Sequence, residues 1–283
     1  MNAPKISLLL PTRGRPKLAE RFFRSVVEKT YHLGLLEIVC YIDEDDVESH
    51  ALDNEKINIT KIIGSRLSMG AYNTACLRRS SGDIVILVND DMIIRTSRWD
   101  EQVRRLHSEI EDKVYLAYGN DLFKEKSLCA FPIISRRTCE ILGDPFPADY
   151  KGAFIDYHLL DIFKRVQKAG HDRIRYLENL VFEHMHFRSG KGKLDATYAA
   201  RRRFEDDDVF LRLRDARSIG ATGLIRAIKA GAPNGGLISV AAAINSQSGL
   251  TRATLLDREL PWRWALRLYF WFLARFVARR ICK

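Results

Sequence analysis

Residues 83–91, Asp-Ile-Val-Ile-Leu-Val-Asn-Asp-Asp, constrain the fold more than any other stretch of this chain. Five consecutive apolar residues, Ile84 to Val88, four of them β-branched, run straight into Asn89, Asp90 and Asp91. A short run that is apolar at every position predicts a strand covered on both faces, as in a parallel sheet. Open α/β sheets bind ligands beyond the carboxyl ends of such strands. Two carboxylates placed there repel each other unless a cation or a hydrogen-bond network holds them. Mg²⁺ or Mn²⁺ bridging them to a nucleotide diphosphate would do so, because both ions favour oxygen ligands. A solvated turn is the plain alternative, so the surroundings must decide.

Those surroundings alternate strands with helices, the pattern of a doubly wound sheet. Lys5 to Leu10 predicts a strand, and Pro16 suits the start of a helix carrying Leu18, Phe22, Phe23, Val26 and Val27 at helical spacing. Glu37 to Ile42 predicts a second strand ending in Asp43, and Ile57 to Ile63 a third. Helices are expected over 67–79 and 96–111, and strands over 114–118 and 131–135. Further helices are expected over 136–142 and 155–169, and a strand or two between Ile174 and Phe187. Thr12-Arg13, Asp43 and Asn89 to Asp91 each follow a predicted strand, so parallel neighbours would bring all three to one crevice. An EF-hand beginning at Asp43 is excluded, because Val47 takes a ligand position and no glycine follows where the loop needs one.

A chain of 283 residues, 46% hydrophobic and 29% charged, is that of a folded domain with one large core. Its five cysteines are scattered, with no C-x-x-C pair, which fits reduced core thiols and a cytosolic compartment. Met1 to Lys5 leads directly into the first strand, so no signal peptide is expected. The net charge of +10 is uneven, with Arg252, Arg258, Arg263, Arg267, Arg275, Arg279, Arg280 and Lys283 set against Asp257 and Glu259 near the C-terminus. Nucleic acid and anionic membrane are the usual partners of such a surplus.

Pro11-Thr12-Arg13, Asp43, Ser68-Met-Gly-Ala-Tyr-Asn73 and Gly82 to Asp91 together resemble the N-terminal half of family 2 glycosyltransferases with the GT-A fold. The resemblance covers roughly residues 5–190. It implies that Pro11, Thr12, Arg13 and Asp43 hold the nucleoside of a sugar donor, usually uridine, and that Asp91 ligates a metal on the diphosphate. Asp90 or Asn89 would meet the ribose or donor sugar, and Arg66 and Asn73 would line the donor pocket. The family's triplet more often begins with Asp, so Asn89 leaves Asp91 as the main ligand.

Asp156, at the start of a predicted helix, resembles the family's catalytic aspartate, with Ile155 in place of an adjacent acid. The plain alternative is an N-terminal helix carboxylate stabilised by the dipole. Asp149 and Asp161 are fallback bases. His184 and His186 would share a face if both lie on a strand, and either could complete the metal shell, imidazole suiting Mn²⁺ better than Mg²⁺. Lys191 and Lys193 could close over the phosphates.

From Pro261 onward Trp, Phe and Leu are mixed with arginine, and Arg263, Arg267, Arg275 and Arg279 recur at multiples of four. The longest uncharged stretch, 268–274, is far short of the ~20 residues a span requires. A basic aromatic helix of this kind is expected to lie in the interface of an anionic membrane. Packing on the domain is the alternative, and nucleic acid is not expected as a partner.

The sequence therefore predicts an α/β protein with a GT-A, Rossmann-like, mostly parallel sheet flanked by helices and a C-terminal amphipathic helix. The expected division is a transferase domain over 1–215, a small-residue linker or helical extension over 216–260 and the interface helix over 261–283. The expected function is transfer of a sugar, with inversion, from a UDP-sugar or similar donor to a glycan or lipid-linked acceptor. Mg²⁺ or Mn²⁺ would serve as cofactor, at the cytoplasmic face of a membrane. A nucleotidyltransferase and a silent nucleotide- or glycan-binding subunit are the alternatives.

Overall fold

The computed structural model describes residues 3–192, 204–231 and 249–281. Strand β1 (Ile6–Thr12) leads through a Gly-Arg-Pro turn into helix α1 (Pro16–Lys29), with Pro16 in the first turn, where its fixed φ suits a helix. β2 (Leu36–Asp43), the short helix α2 (Val47–His50) and β3 (Asn58–Gly64) follow. Helix α3 (Met69–Arg79) begins at Ser68, whose side chain caps the N–H of Ala71. β4 (Ile84–Leu87), β5 (Met92–Ile94), α4 (Trp99–Glu109), β6 (Leu116–Asn120), β7 (Ile133–Ser135), α5 (Arg136–Leu142), α6 (Ile155–Lys168) and β8 (Ile174–His184) complete the core. Helices α7 (Asp207–Arg212), α8 (Arg214–Ala230), α9 (Leu250–Ala253) and α10 (Trp262–Ile281) lie in the C-terminal part.

Eight strands form one sheet in the order β3-β2-β1-β4-β7-β6-β8-β5. The first four are parallel, while β7 runs antiparallel to both β4 and β6, and β5 antiparallel to β8. The expected mostly parallel sheet is present. Within the parallel half β1, β2 and β4 are buried on both sides, β3 forming its more exposed edge, and alternate residues feed separate cores. Leu9, Val39 and Val85 face one cluster, whereas Leu8, Ile38, Ile84 and Ile86 face the other. Each such side chain contributes roughly 1.5–3 kcal/mol by leaving water. Helices α1 and α4 cover the second cluster through Phe22, Phe23, Trp99 and Val103, and α6, α8 and α10 cover the first.

A buried ionic cluster fastens the C-terminal helices to α6. Asp161 accepts from Arg165 at 3.0 Å, from Arg217 of α8 at 2.7 Å and from the Trp264 indole of α10 at 2.8 Å. Arg165 also reaches Asp257 at 2.7 Å, and Arg214 grips both oxygens of Asp257. Asp161, Arg165, Arg217 and Asp257 are all buried, so each charge needs its partners. Among the described residues no helix is long and apolar enough to cross a membrane.

Candidate active site

Because β1 lies between β2 and β4, the carboxyl ends of these three strands share one edge. Thr12, Asp43 and the Asn89–Asp91 turn are thereby brought together, as the sequence pattern expected. Their side chains are divided among three linked networks.

The first joins β1 to β2. Asp43 is buried, accepting from Arg13 on one oxygen and from the Tyr72 hydroxyl of α3 on the other, each at 2.5 Å. Arg13 also pairs with Asp45, and the two carboxylates hold its pKa above the ordinary arginine value. The N–H of Gly14 donates to Asp46 at 2.6 Å, closing the turn after Pro11.

The second joins β1 to the acidic turn. Thr12 donates its hydroxyl to Asp90 at 2.8 Å, and Arg15 binds the other oxygen of Asp90 at 3.0 Å. Burial holds the Asp90 carboxyl above its usual range; Arg15 opposes this and Asp91 adds to it. Asp90 thus faces back towards β1, and Asn89 is the most accessible residue of the triplet.

The third network contains Asp91. Residues 92–94 form a strand the sequence pattern does not reveal, and it pairs with β8 so that Met92 lies opposite His184. That register sets His184 Nε2 3.4 Å from Asp91 Oδ2, an ion-pair distance longer than a hydrogen bond. On the other side His184 Nδ1 faces Asp121 Oδ2 at 3.9 Å. Asp121 is itself fixed, its Oδ1 accepting the N–H groups of Phe123, Lys124 and Glu125 at 3.1, 2.7 and 2.7 Å. Burial lowers the pKa of His184, but Asp121 and Asp91 outweigh it and push the imidazole up to about 9. Asp121 is absent from the sequence-based candidates, since an Asn-Asp turn after a strand carries no signal beyond turn propensity.

β8 ends at His184, so His184 and His186 do not share a strand face. Their rings meet edge to face at 5.1 Å, and His186 stacks on Phe123 while its Nδ1 accepts the N–H of Arg188.

Asp156 occupies the first turn of α6 and is half-buried. Burial pushes its carboxyl up to about 6, against the N–H of Tyr157, with His184 lowering it and Asp121 raising it. The approach to α6 is held by Asp206, which accepts the N–H groups of Lys151, Gly152 and Ala153 at 2.9, 3.0 and 2.8 Å. Gly70 lets α3 press against the same loop, because a Cβ there would lie 1.9 Å from the Pro147 carbonyl. The fallback bases have other partners: Asp161 belongs to the buried ionic cluster, and Asp149 pairs with Arg212 at 2.6 Å.

Arg66 is exposed between β3 and α3. Asn73 is buried and donates to the Met69 carbonyl of its own helix at 2.9 Å, a local contact rather than an opening to the crevice. Lys191 pairs with Glu183 at 2.7 Å, and Lys193 lies outside the described residues.

The donor set of Asp91 and His184, one carboxylate and one imidazole, suits Mn²⁺ and leaves room for diphosphate oxygens. The imidazole nitrogens are buried and make no hydrogen bond; they face Asp91 and Asp121 at ion-pair distance, where a cation would take the place of the imidazolium charge. Among the described residues no three His, Cys, Asp or Glu side chains form a ligand cage of their own.

No family model and no curated protein matches the sequence. Among solved structures, a mannosyltransferase of Pyrobaculum calidifontis in complex with GDP-Man and Mn²⁺ aligns with 98% of this chain and 76% of its own. The TM-score is 0.50 at 16% identity. The fold is that of a GT-A glycosyltransferase. S. aureus TarS 1–349 in complex with UDP-GlcNAc aligns over 64% of this chain and 60% of its own, with TM-score 0.46 and 17% identity. A mycobacterial protein aligns over 76% and 75%, with TM-score 0.49 and 16% identity. The fold assignment rests on the first of these.

The carboxyl edge of β1, β2 and β4 carries Thr12, Asp43 and the Asn89–Asp91 turn. Arg15, Tyr72, Asp121 and Asp206 are additions that the sequence alone did not disclose.

Proposed function

We propose that this chain is a metal-dependent glycosyltransferase. It would move a sugar from a nucleoside diphosphate donor, a UDP-sugar or a guanosine counterpart, onto a glycan or lipid-linked acceptor. The observation carrying this reading is the meeting of Asp91 with His184 beyond the sheet edge that also carries Thr12 and Asp43. Asp91 and His184 would hold Mn²⁺ or Mg²⁺. Such an ion offsets the negative charge gathered by the leaving diphosphate.

Asp156 would act as base. Raised to about 6, it is ionised at neutral pH yet more basic than an ordinary carboxylate, as proton abstraction favours. The acceptor oxygen forms its bond to the anomeric carbon as the bond to the diphosphate breaks, and the acceptor proton passes to Asp156. Attack from the face opposite the leaving group inverts the anomeric centre. Asp43, Pro11, Thr12 and Arg13 would frame the nucleoside, with Arg13 turning from Asp43 to admit it. The chain would sit peripherally at the cytoplasmic face of an anionic membrane, which makes a lipid-borne acceptor natural.

The test is release of nucleoside diphosphate from UDP-sugars and GDP-mannose with Mn²⁺ across a panel of soluble and lipid-linked acceptors. Release is expected to need the metal, to vanish in Asp91→Ala and to fall by ~10²–10⁴ in Asp156→Asn. Nucleotide binding without turnover on every acceptor would instead identify a silent binding subunit.

A further inference from the structure

Helix α10 is apolar around most of its circumference, and only part of that surface is covered. Trp264, Ala265, Leu268 and Phe272 pack inward. Trp262, Leu266, Phe270, Leu273, Val277 and Ile281 stay exposed, Phe270 at 61% and Trp262 at 66%. Their spacing of three or four residues lines them up as one stripe along the whole helix. Singly exposed leucines need no explanation, whereas a continuous stripe of this length marks a docking surface.

Charge identifies the occupant. Two of the four regularly spaced arginines are used within the fold, Arg275 pairing with Asp207 at 2.6 Å and Arg279 with Asp208 at 3.1 Å. Arg263, Arg267 and Arg280 are exposed and have no carboxylate partner among the described residues. At 100° per residue, Arg263 and Arg267 fall along one border of the stripe, and their guanidinium groups lie over the indoles of Trp262 and Trp264 at 5.3 and 5.4 Å. Lipid phosphates meet arginine, and acyl chains meet the stripe.

We propose that α10 lies in the plane of an anionic phospholipid bilayer. Trp262, Leu266, Phe270, Leu273 and Val277 enter the acyl boundary, and Arg263, Arg267 and Arg280 rest among the headgroups. This deepens the membrane attachment proposed above and rests on it. The inward face of the same helix stacks on Tyr157, Trp271 lying parallel to it at 4.6 Å, so the docked helix adjoins the residue next to Asp156.

The test is flotation of the full chain with phosphatidylcholine vesicles, with and without phosphatidylglycerol. Binding is expected to favour the anionic vesicles, to be lost in Phe270→Glu/Leu273→Glu, and to fall about fivefold per charge removed in Arg263→Gln and Arg267→Gln. Unchanged circular dichroism and Mn²⁺-dependent binding of UDP or GDP by calorimetry show that the variants are folded. Absence of flotation by the unaltered chain overturns the proposal. So does equal binding to neutral vesicles, or a dimer in solution that Phe270→Glu/Leu273→Glu disperses. Vesicle binding by a chain that binds neither nucleotide would leave the docking surface standing and sink the transferase reading.

Discussion

Asp90 and Asp91 are neighbours in the chain with opposite assignments. Asp90 is bound by Thr12 and Arg15, and Asp91 faces His184. Both lie in the turn that the Met92 N–H closes onto the Asn89 carbonyl, and their side chains leave it towards different partners, so one acid braces the sheet edge while the other meets the imidazole. Asp156 is the residue whose chemistry is most open to measurement. Its carboxyl is raised to about 6, so below that pH it is neutral and cannot take a proton. Turnover is expected to rise with pH through about 6 and level off above. Asp156→Asn is expected to lower the plateau by ~10²–10⁴ and remove this limb, with nucleotide affinity retained. A pH profile of kcat, paired with calorimetry of the nucleotide, checks both. The sequence places this acid at a helix start, but only burial, with a smaller push from Asp121 and against the pull of His184, supplies its raised pKa.

At the scale of elements, the start of α6 is held from outside itself. Phe154 precedes Asp156 with φ +72°, a left-handed conformation that costs a non-glycine residue of order 1–3 kcal/mol. The surrounding aromatics offset that strain: Trp271 and Phe272 of α10 lie 5.3 and 5.9 Å from the Phe154 ring, and Phe210 of α7 lies at 5.6 Å. Trp271→Ala is expected to cost about 1–3 kcal/mol in stability and to lower kcat while leaving the nucleotide Kd unchanged. Urea unfolding read beside steady-state kinetics separates the two effects. An unaltered kcat would show that α10 does not position Asp156. Most elements were legible from periodicity, including α1, with Phe22, Phe23 and Val26 on one face, and the apolar β4. β5 was not legible, because three residues carry too little pattern and their pairing partner, β8, lies far along the chain.

For the whole molecule, the buried charges around Asp161 decide whether the C-terminal helices belong to the fold. Burial opposes ionisation of Asp161, but Arg165 and Arg217 prevail and hold its carboxyl at about 2, below the ordinary 3.8. The sign follows directly. A depressed folded pKa gives stability that is complete above about 3.8 and is lost as pH falls towards 2. The unfolding midpoint in urea is therefore expected to drop steeply between pH 4 and 2. Arg217→Met, which strips a buried carboxylate of one partner, is expected to cost roughly 3–5 kcal/mol at pH 7. It is also expected to flatten that acid limb. A limb of unchanged steepness would show that Asp161 is not the group responsible. The basic stripe read from the tail alone was only half of the arrangement, since Arg275 and Arg279 turn to α7 once the helix is packed.

The sequence by itself determined the alternation of strands and helices, the fully buried β-branched run of β4 and the placing of Thr12, Asp43 and Asp91 at strand ends. All three follow from side chains a few residues apart, where backbone geometry fixes direction. Tertiary structure alone decided which acid faces which base, that Asp121 and His184 join Asp91, and which sector of α10 remains bare. Those outcomes depend on pairing and packing between segments distant in the chain, whose register no local pattern encodes.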